Sequence, residues 1–166
     1  MNPKIIIAVI ISSLGLVIGG VVLASRLPTN QKAEVVKDDS AKLFVDHQNY
    51  DWQNINYSGG VVTHSFPVGN QGTAPLTVAN MKTSCMCTTV KLISTSGTSP
   101  AFAMHQQSDW KGTVQPGETA QLEIVFDPAF HGPQGVGPME RIISLETSDP
   151  LHPYVEFNLK GEVTKS

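Results

Sequence analysis

Gln115-Pro116-Gly117-Glu118-Thr119-Ala120-Gln121-Leu122-Glu123-Ile124-Val125-Phe126-Asp127-Pro128 carries the reading of the fold. Pro116-Gly117 is turn chemistry: proline presets one turn dihedral, and glycine accepts the positive φ of the next position. After it, Leu122, Ile124 and Phe126 alternate with Gln121, Glu123 and Val125. That period of two is a strand with one buried face. Asp127 to Pro138 then holds three prolines and three glycines and reads as loop.

The same grammar runs outward in both directions. Downstream, Ile142 to Glu146 reads as a strand and Asp149-Pro150 breaks it. Val155, Phe157 and Leu159 then alternate with Tyr154, Glu156, Asn158 and Lys160. Upstream, Lys42 to Asp46, Val61 to Val68, Leu76 to Met81 and Thr88 to Ile93 are short strands. Ser58-Gly59-Gly60 and Asn70-Gln71-Gly72 are turns between them, and Ser94 to Pro100 reads as a flexible loop. About seven strands at regular spacing predict a two-sheet antiparallel β-sandwich over residues 41–166.

The first two dozen residues are different. Ile5 to Leu23 has no charged residue. At about 1.5 Å per residue the run spans a hydrocarbon core of about 30 Å with little to spare. Lys4 precedes it and Arg26 follows it, a weak bias that leaves the N-terminus in the cytoplasm. A cleaved signal peptide is the rival reading, because Val22-Leu23-Ala24 offers small residues for cleavage. The run nevertheless exceeds the roughly 7–15 residues of an ordinary signal core. No cysteine lies near its end, which excludes a lipid-modified lipoprotein.

The expected organisation is a cytoplasmic start (1–4), a transmembrane anchor or uncleaved signal (5–23), a polar linker (24–40) and the sandwich (41–166). The expected location is the inner (plasma) membrane, single-pass, with the domain facing the periplasm or exterior. Net charge is −3 with no basic patch, which argues against a nucleic-acid partner.

Several motifs occur in a recognisable order: Asp51-Trp52-Gln53-Asn54-Ile55, Gly59-Gly60-Val61, and His64 through Gly72 with Pro75-Leu76. These run into Thr83-Ser84-Cys85-Met86-Cys87-Thr88. Pro116-Gly117-Glu118, Ile124 to Pro128, Thr147 to Pro150 and Leu159 to Val163 follow. The chain resembles the bacterial family of uncharacterised Ig-like domains related to the ASH, Hydin and major sperm protein domains. The resemblance covers about Lys42 to Val163 and implies an immunoglobulin-like sandwich. It implies almost nothing about chemistry. Three features depart from the family's commoner form. Met86 stands where Gly is usual between the cysteines. Ala101 to Asp109 reads as an insertion, and the loop from Phe130 to Gly137 is longer than usual.

Cys85 and Cys87 are the only cysteines. In a strand-like segment they point to one face, about 6–7 Å apart at the backbone, and both thiolates reach one ion. A disulfide between them closes a very small ring, which suits a structural staple poorly. Soft thiolate and thioether donors select copper(I). Met104 and His105 in the inserted loop are the next donors and His131 in the second long loop a more distant one, because loops gather at the ends of such a sandwich. Zinc accepts thiolate and imidazole too, but the methionines add nothing for it.

The expected metal ligands are therefore Cys85, Cys87, His105, Met104 and His131, and the expected function is a copper(I) carrier or sensor. A metal-free module docking on an envelope protein is the alternative. Thiol–disulfide exchange is the third, weakened by the lack of a Cys-x-x-Cys at a helix start. The bland reading of the cysteines is a packing feature. Met81 reads as core, Met104 reads equally as a plug for the sandwich end, and His64 shares strand parity with Val62 and Phe66 as a structural histidine. His47 and His152 read as exposed. No nucleophile elbow, phosphate loop or paired acid motif appears, so no enzyme is expected.

Overall fold

A computed structural model describes residues 3–24 and 32–165. Helix α1 spans Pro3–Ala24. Proline at its start removes an N–H that would have no helical partner. By length and composition α1 is able to cross a membrane, a test that a signal sequence also passes. Residues 25–31 of the expected linker lie outside the described residues.

Ten strands follow: β1 (Leu43–Phe44), β2 (Asn49–Asn56), β3 (Val62–Asn70), β4 (Leu76–Thr83), β5 (Thr88–Ser94), β6 (Gly97–Thr98), β7 (Lys111–Val114), β8 (Thr119–Phe126), β9 (Gly137–Thr147) and β10 (Tyr154–Thr164). They form two five-stranded sheets, ordered β1-β3-β8-β5-β6 and β2-β10-β9-β4-β7. This is an immunoglobulin-like β-sandwich. Every pairing is antiparallel except one: β2 runs parallel to β10. The second sheet is therefore mixed rather than antiparallel throughout. The chain crosses from β1 in one sheet to β2 in the other, where β2 closes the free edge of β10.

The alternating residues meet in the middle. Leu122, Ile124 and Phe126 of β8 face Val155, Phe157 and Leu159 of β10, and all are buried. Phe66 of β3 meets Phe157 with ring centroids 4.8 Å apart. Each such side chain removed from water contributes about 1.5–3 kcal/mol. A smaller second cluster of Ile55, Cys87, Phe126, Met139 and Val163 closes one end.

Two bulges reset which face each edge region presents. Gln53 has φ 58°, and the β2–β10 register gains one residue on β2 between Asp51 and Asn54. Tyr50 and Trp52 are half-buried before it, and Ile55 is buried after it. Gly161 lies beneath this bulge; a Cβ there would sit 3.0 Å from the Ile55 side chain and 3.2 Å from the Gln53 carbonyl. Asn80 has φ 53° and shifts the β4–β9 register in the same way. Leu76 and Val78 are buried before it, and Met81 and Thr83 after it.

Asn80 also holds part of the expected linker. Its Nδ2 donates to the Ala33 carbonyl at 2.8 Å, and its Oδ1 accepts from the Ala33 N–H at 3.0 Å. The amide thus imitates a neighbouring strand. Ala33 is buried, its N–H also lies 3.1 Å from the Ser108 carbonyl, and the Asp38 N–H donates to the Ser148 carbonyl at 2.9 Å. Residues 32–40 lie along the domain as a strap, where their composition reads as a free tether.

Candidate functional site

β4 ends at Thr83 and β5 begins at Thr88, leaving Ser84 to Cys87 as a turn rather than a strand. The Thr88 N–H donates to the Cys85 carbonyl at 3.2 Å, and the Thr83 hydroxyl lies 2.8 Å from that same oxygen. The middle of β9 and the residue after β8 pin the turn. The Ser84 N–H donates to the Ile142 carbonyl at 2.9 Å, and the Ile142 N–H donates back to Ser84 Oγ at 3.0 Å. The Asp127 N–H donates to the Cys87 carbonyl at 2.9 Å. The turn draws the two Cα atoms to 5.3 Å, and Cys85 and Cys87 are joined as a disulfide. The extended geometry expected from the sequence would have held them further apart; the turn brings them within the separation disulfides adopt.

Each sulfur has its own partner. Arg141 Nε donates to Cys87 Sγ at 3.1 Å. The guanidinium lies 5.3 Å over the Phe126 ring and donates a second hydrogen bond to the Glu140 carbonyl. Burial lowers the Arg141 pKa from its usual value, yet arginine remains a cation at any physiological pH. It shares the inward parity of Met139, Ile143 and Leu145 on β9, the one charge in that series.

His131 Nε2 lies 3.2 Å from Cys85 Sγ. The loop from β8 to β9 delivers it: Asp127 Oδ1 accepts from the Ala129 N–H at 2.9 Å, and Gly132 turns the chain at φ 68° into a 3-10 turn, Gly132–Gly135. Cys87 is 3% exposed and belongs to the end cluster, whereas Cys85 is half-buried. Met86 and Phe130 flank the pair with 47% and 51% of their surfaces exposed.

Among the described residues, the sulfurs of Cys85 and Cys87 and a ring nitrogen of His131 form the one metal-competent group of histidine, cysteine and acidic side chains. Its ligand atoms all lie within 4.8 Å of one another. His105 does not join it. Met104 and His105 occupy the loop after Phe102, which pairs with Val90; His105 is exposed and Met104 half-buried.

The other histidines lie away from the cysteines. His64 is half-buried and stacked on Tyr50 with centroids 3.5 Å apart, and its pKa is lowered by burial and then by His47. His47 and His152 are exposed and bonded to Asp46 and Asp149. Arg141 is the residue sequence reasoning missed. Extending the expected strand from Ile142 one residue upstream would have found it, as a charge on a core-facing position.

Residues 43–99 match the model of a family described as a protein of unknown function (DUF1573), a match that includes the cysteine turn. No curated protein matches the chain. A protein of unknown function from Porphyromonas gingivalis W83 is similar in structure. It has 18% identity and a TM-score of 0.54, covering 82% of this chain and 50% of that one. The chain thus spans half the length of that protein, and the likeness shows the fold alone. The ASH/PapD-like domain 7 of human CEP192 aligns at 17% identity and TM-score 0.49 over 84% of this chain and 99% of that domain. WR4, a C. elegans MSP family member, aligns at 16% identity and TM-score 0.41 over 76% and 100%.

Proposed function

We propose that this chain is a membrane-tethered, extracytoplasmic Ig-like domain that takes one copper(I) ion at Cys85, Cys87 and His131 when the cysteines are reduced, as a carrier or sensor. The observation that carries the reading is the meeting of two sulfurs and an imidazole nitrogen within 4.8 Å. Two thiolates and an imidazole suit copper(I), which accepts soft donors in low coordination. Structural zinc asks for a fourth protein ligand, and among the described residues no further histidine, cysteine or acid joins the group. Two thiolates with copper(I) carry one net negative charge, and Arg141 beside Cys87 balances it.

In this reading α1 anchors the protein in the inner membrane, and an envelope protein is the partner that delivers or receives the ion. No catalytic reaction is assigned.

The test is copper(I) retention by the reduced full-length protein in detergent, under anaerobic conditions, against bicinchoninate. One equivalent per chain is expected. Cys85→Ser with Cys87→Ser should abolish binding, and His131→Ala should weaken it by about 10–100-fold, as loss of a metal-site contact does. His105→Ala and Met104→Ala reveal whether the inserted loop adds a donor; unchanged affinity confines the site to three residues. Failure of the reduced wild type to hold copper leaves the metal-free interaction module in its place.

A further inference from the structure

We infer that the Cys85–Cys87 pair also exchanges with the dithiol of a partner protein, with Cys85 the sulfur attacked and Cys87 the sulfur that leaves. The inference uses the same two sulfurs as the metal reading but does not rest on it.

The polarity follows from the surroundings of each sulfur. Thiol–disulfide exchange needs in-line access to one sulfur and a stable thiolate on the other. Cys87 is 3% exposed and packed with Ile55, Phe126, Met139 and Val163, so an incoming thiolate has no route to it. Cys85 is half-buried at the rim. The Arg141 guanidinium already donates to Cys87 Sγ at 3.1 Å, where the displaced electron pair arrives. This is the electropositive neighbour that favours a thiolate, supplied by a strand instead of a helix start.

The backbone is prepared for cycling as well. Hydrogen bonds from Ser84, Ile142 and Asp127 hold the turn independently of the S–S bond. The bond closes a ring too short to contribute much to stability, so breaking it leaves the fold standing. Exposed Met86, next to Cys85 in the turn, and exposed Phe130, its ring 5.1 Å from that of His131, offer an apolar contact surface suited to the apolar surroundings of a partner's reactive cysteines.

The steps balance. A partner thiolate attacks Cys85 Sγ; the mixed disulfide forms, the Cys85–Cys87 bond breaks, and its electron pair leaves on Cys87 as thiolate beside Arg141. The partner's second thiolate then attacks the partner sulfur of the mixed disulfide and expels Cys85 thiolate. The partner dithiol is oxidised to a disulfide, this pair is reduced by two electrons, and the protons released by the partner thiols are available to the two new thiolates.

The test uses oxidised full-length protein in detergent with a chelator present, so that the copper result has no bearing on it. Reduced glutathione is the attacking thiol and dithiothreitol the dithiol, with reduction followed by alkylation and intact mass. Arg141→Gln should slow reduction by about three- to tenfold through the poorer leaving group. Arg141→Lys should recover most of the rate, and Lys111→Gln, an exposed cation on β7, should change nothing. A folded Arg141→Gln protein reduced at the wild-type rate overturns the inference.

Independently of Arg141, Cys87→Ser should form a mixed disulfide with 5,5′-dithiobis(2-nitrobenzoate) about tenfold faster than Cys85→Ser, because only Cys85 is reachable. Equal rates, or the reverse order, also overturn it.

Discussion

Asn70, at the end of β3, and Cys87, just ahead of β5, lie at opposite ends of the sandwich and are 1% and 3% exposed. Asn70 is saturated. Its Nδ2 donates to the carbonyls of Ala74 and Val114 at 2.8 and 2.9 Å, and its Oδ1 accepts from the N–H groups of Gly72 and Lys42 at 2.9 and 3.3 Å. Asp149 nearby is also filled: it accepts from the N–H groups of Leu43 and Leu151 at 2.9 and 2.8 Å and meets His152 Nδ1 at 3.0 Å. Those partners are largely backbone, so this end has one arrangement. At the cysteine end the sulfurs meet the side chains of Arg141, His131 and Thr88, with one long bond from the Cys87 N–H to Cys85 Sγ, and the bond between the sulfurs is reversible. A buried polar atom whose capacity is spent on backbone fixes a shape, whereas one partnered by a cation and an imidazole retains chemistry.

The severest challenge to this contrast is Phe126→Asp. Phe126 floors the cysteine end, stacked 5.9 Å from Trp52, and replacing its ring by a carboxylate removes that packing and puts a charge among Ile55, Met139 and Val163, which should abolish folding. Circular dichroism of a β-rich, cooperatively melting variant would show that this end does not depend on its core.

Asn70→Ala comes next. It strands several buried backbone groups, and a loss of about 2–4 kcal/mol in denaturant unfolding is expected, since each orphan costs about 1–3 kcal/mol.

The third prediction concerns acid. Burial pushes the Asp149 carboxyl pKa up, but hydrogen bonds from His152 and the backbone N–H groups of Leu43 and Leu151 outweigh it, so its folded pKa lies below the usual carboxylate value. The carboxylate's contribution is therefore complete above about pH 4 and disappears as pH falls through the lower folded pKa. Asp149→Asn should melt below the wild type at pH 7, with the gap closing in that acid window. A gap that persists to low pH would show that the charge is irrelevant. Glu146 is lowered as well, its burial outweighed by bonds from Lys32 and Asn80, so only the difference between the two proteins isolates Asp149.

The smallest effect belongs to Cys85→Ser with Cys87→Ser. Loss of about 1–2 kcal/mol is expected from so short a loop, and His131→Ala should change the melting temperature hardly at all. A collapse of either protein would erase the contrast between the two ends.

The alternation in β8 and β10 makes the sandwich legible in the sequence, because those strands have one wet face and one dry one. β2 was not legible as a strand. Asn49–Asn56 reads Asn-Tyr-Asp-Trp-Gln-Asn-Ile-Asn, a polar edge whose inward parity switches at Gln53. No period of two survives such a bulge. β7, four residues long with Gly112 at a buried position, offers too little side chain to show a pattern. The strap at residues 32–40 was hidden because its docking uses backbone groups, the Asn80 amide and the Lys32 and Lys37 side chains, with only the small Ala33 side chain buried. At the site, loop clustering put His105 and Met104 ahead of His131, yet of the two histidines it is His131 that meets the cysteines. The turn at Ser84–Cys87 was not, because its bonds come from Ile142 and Asp127, remote in sequence.

The parallel pairing of β2 with β10 has a mechanical meaning. Six register pairs, from Asn49 with Asn158 to Asn56 with Thr164, join these two strands head to head. A pull between the N-terminal side of the domain and its last residues draws β2 and β10 past each other along their length. Once the strap and β1 have peeled away, the interstrand bonds meet that force in shear and must yield together, where an antiparallel pair pulled from one end would unzip bond by bond.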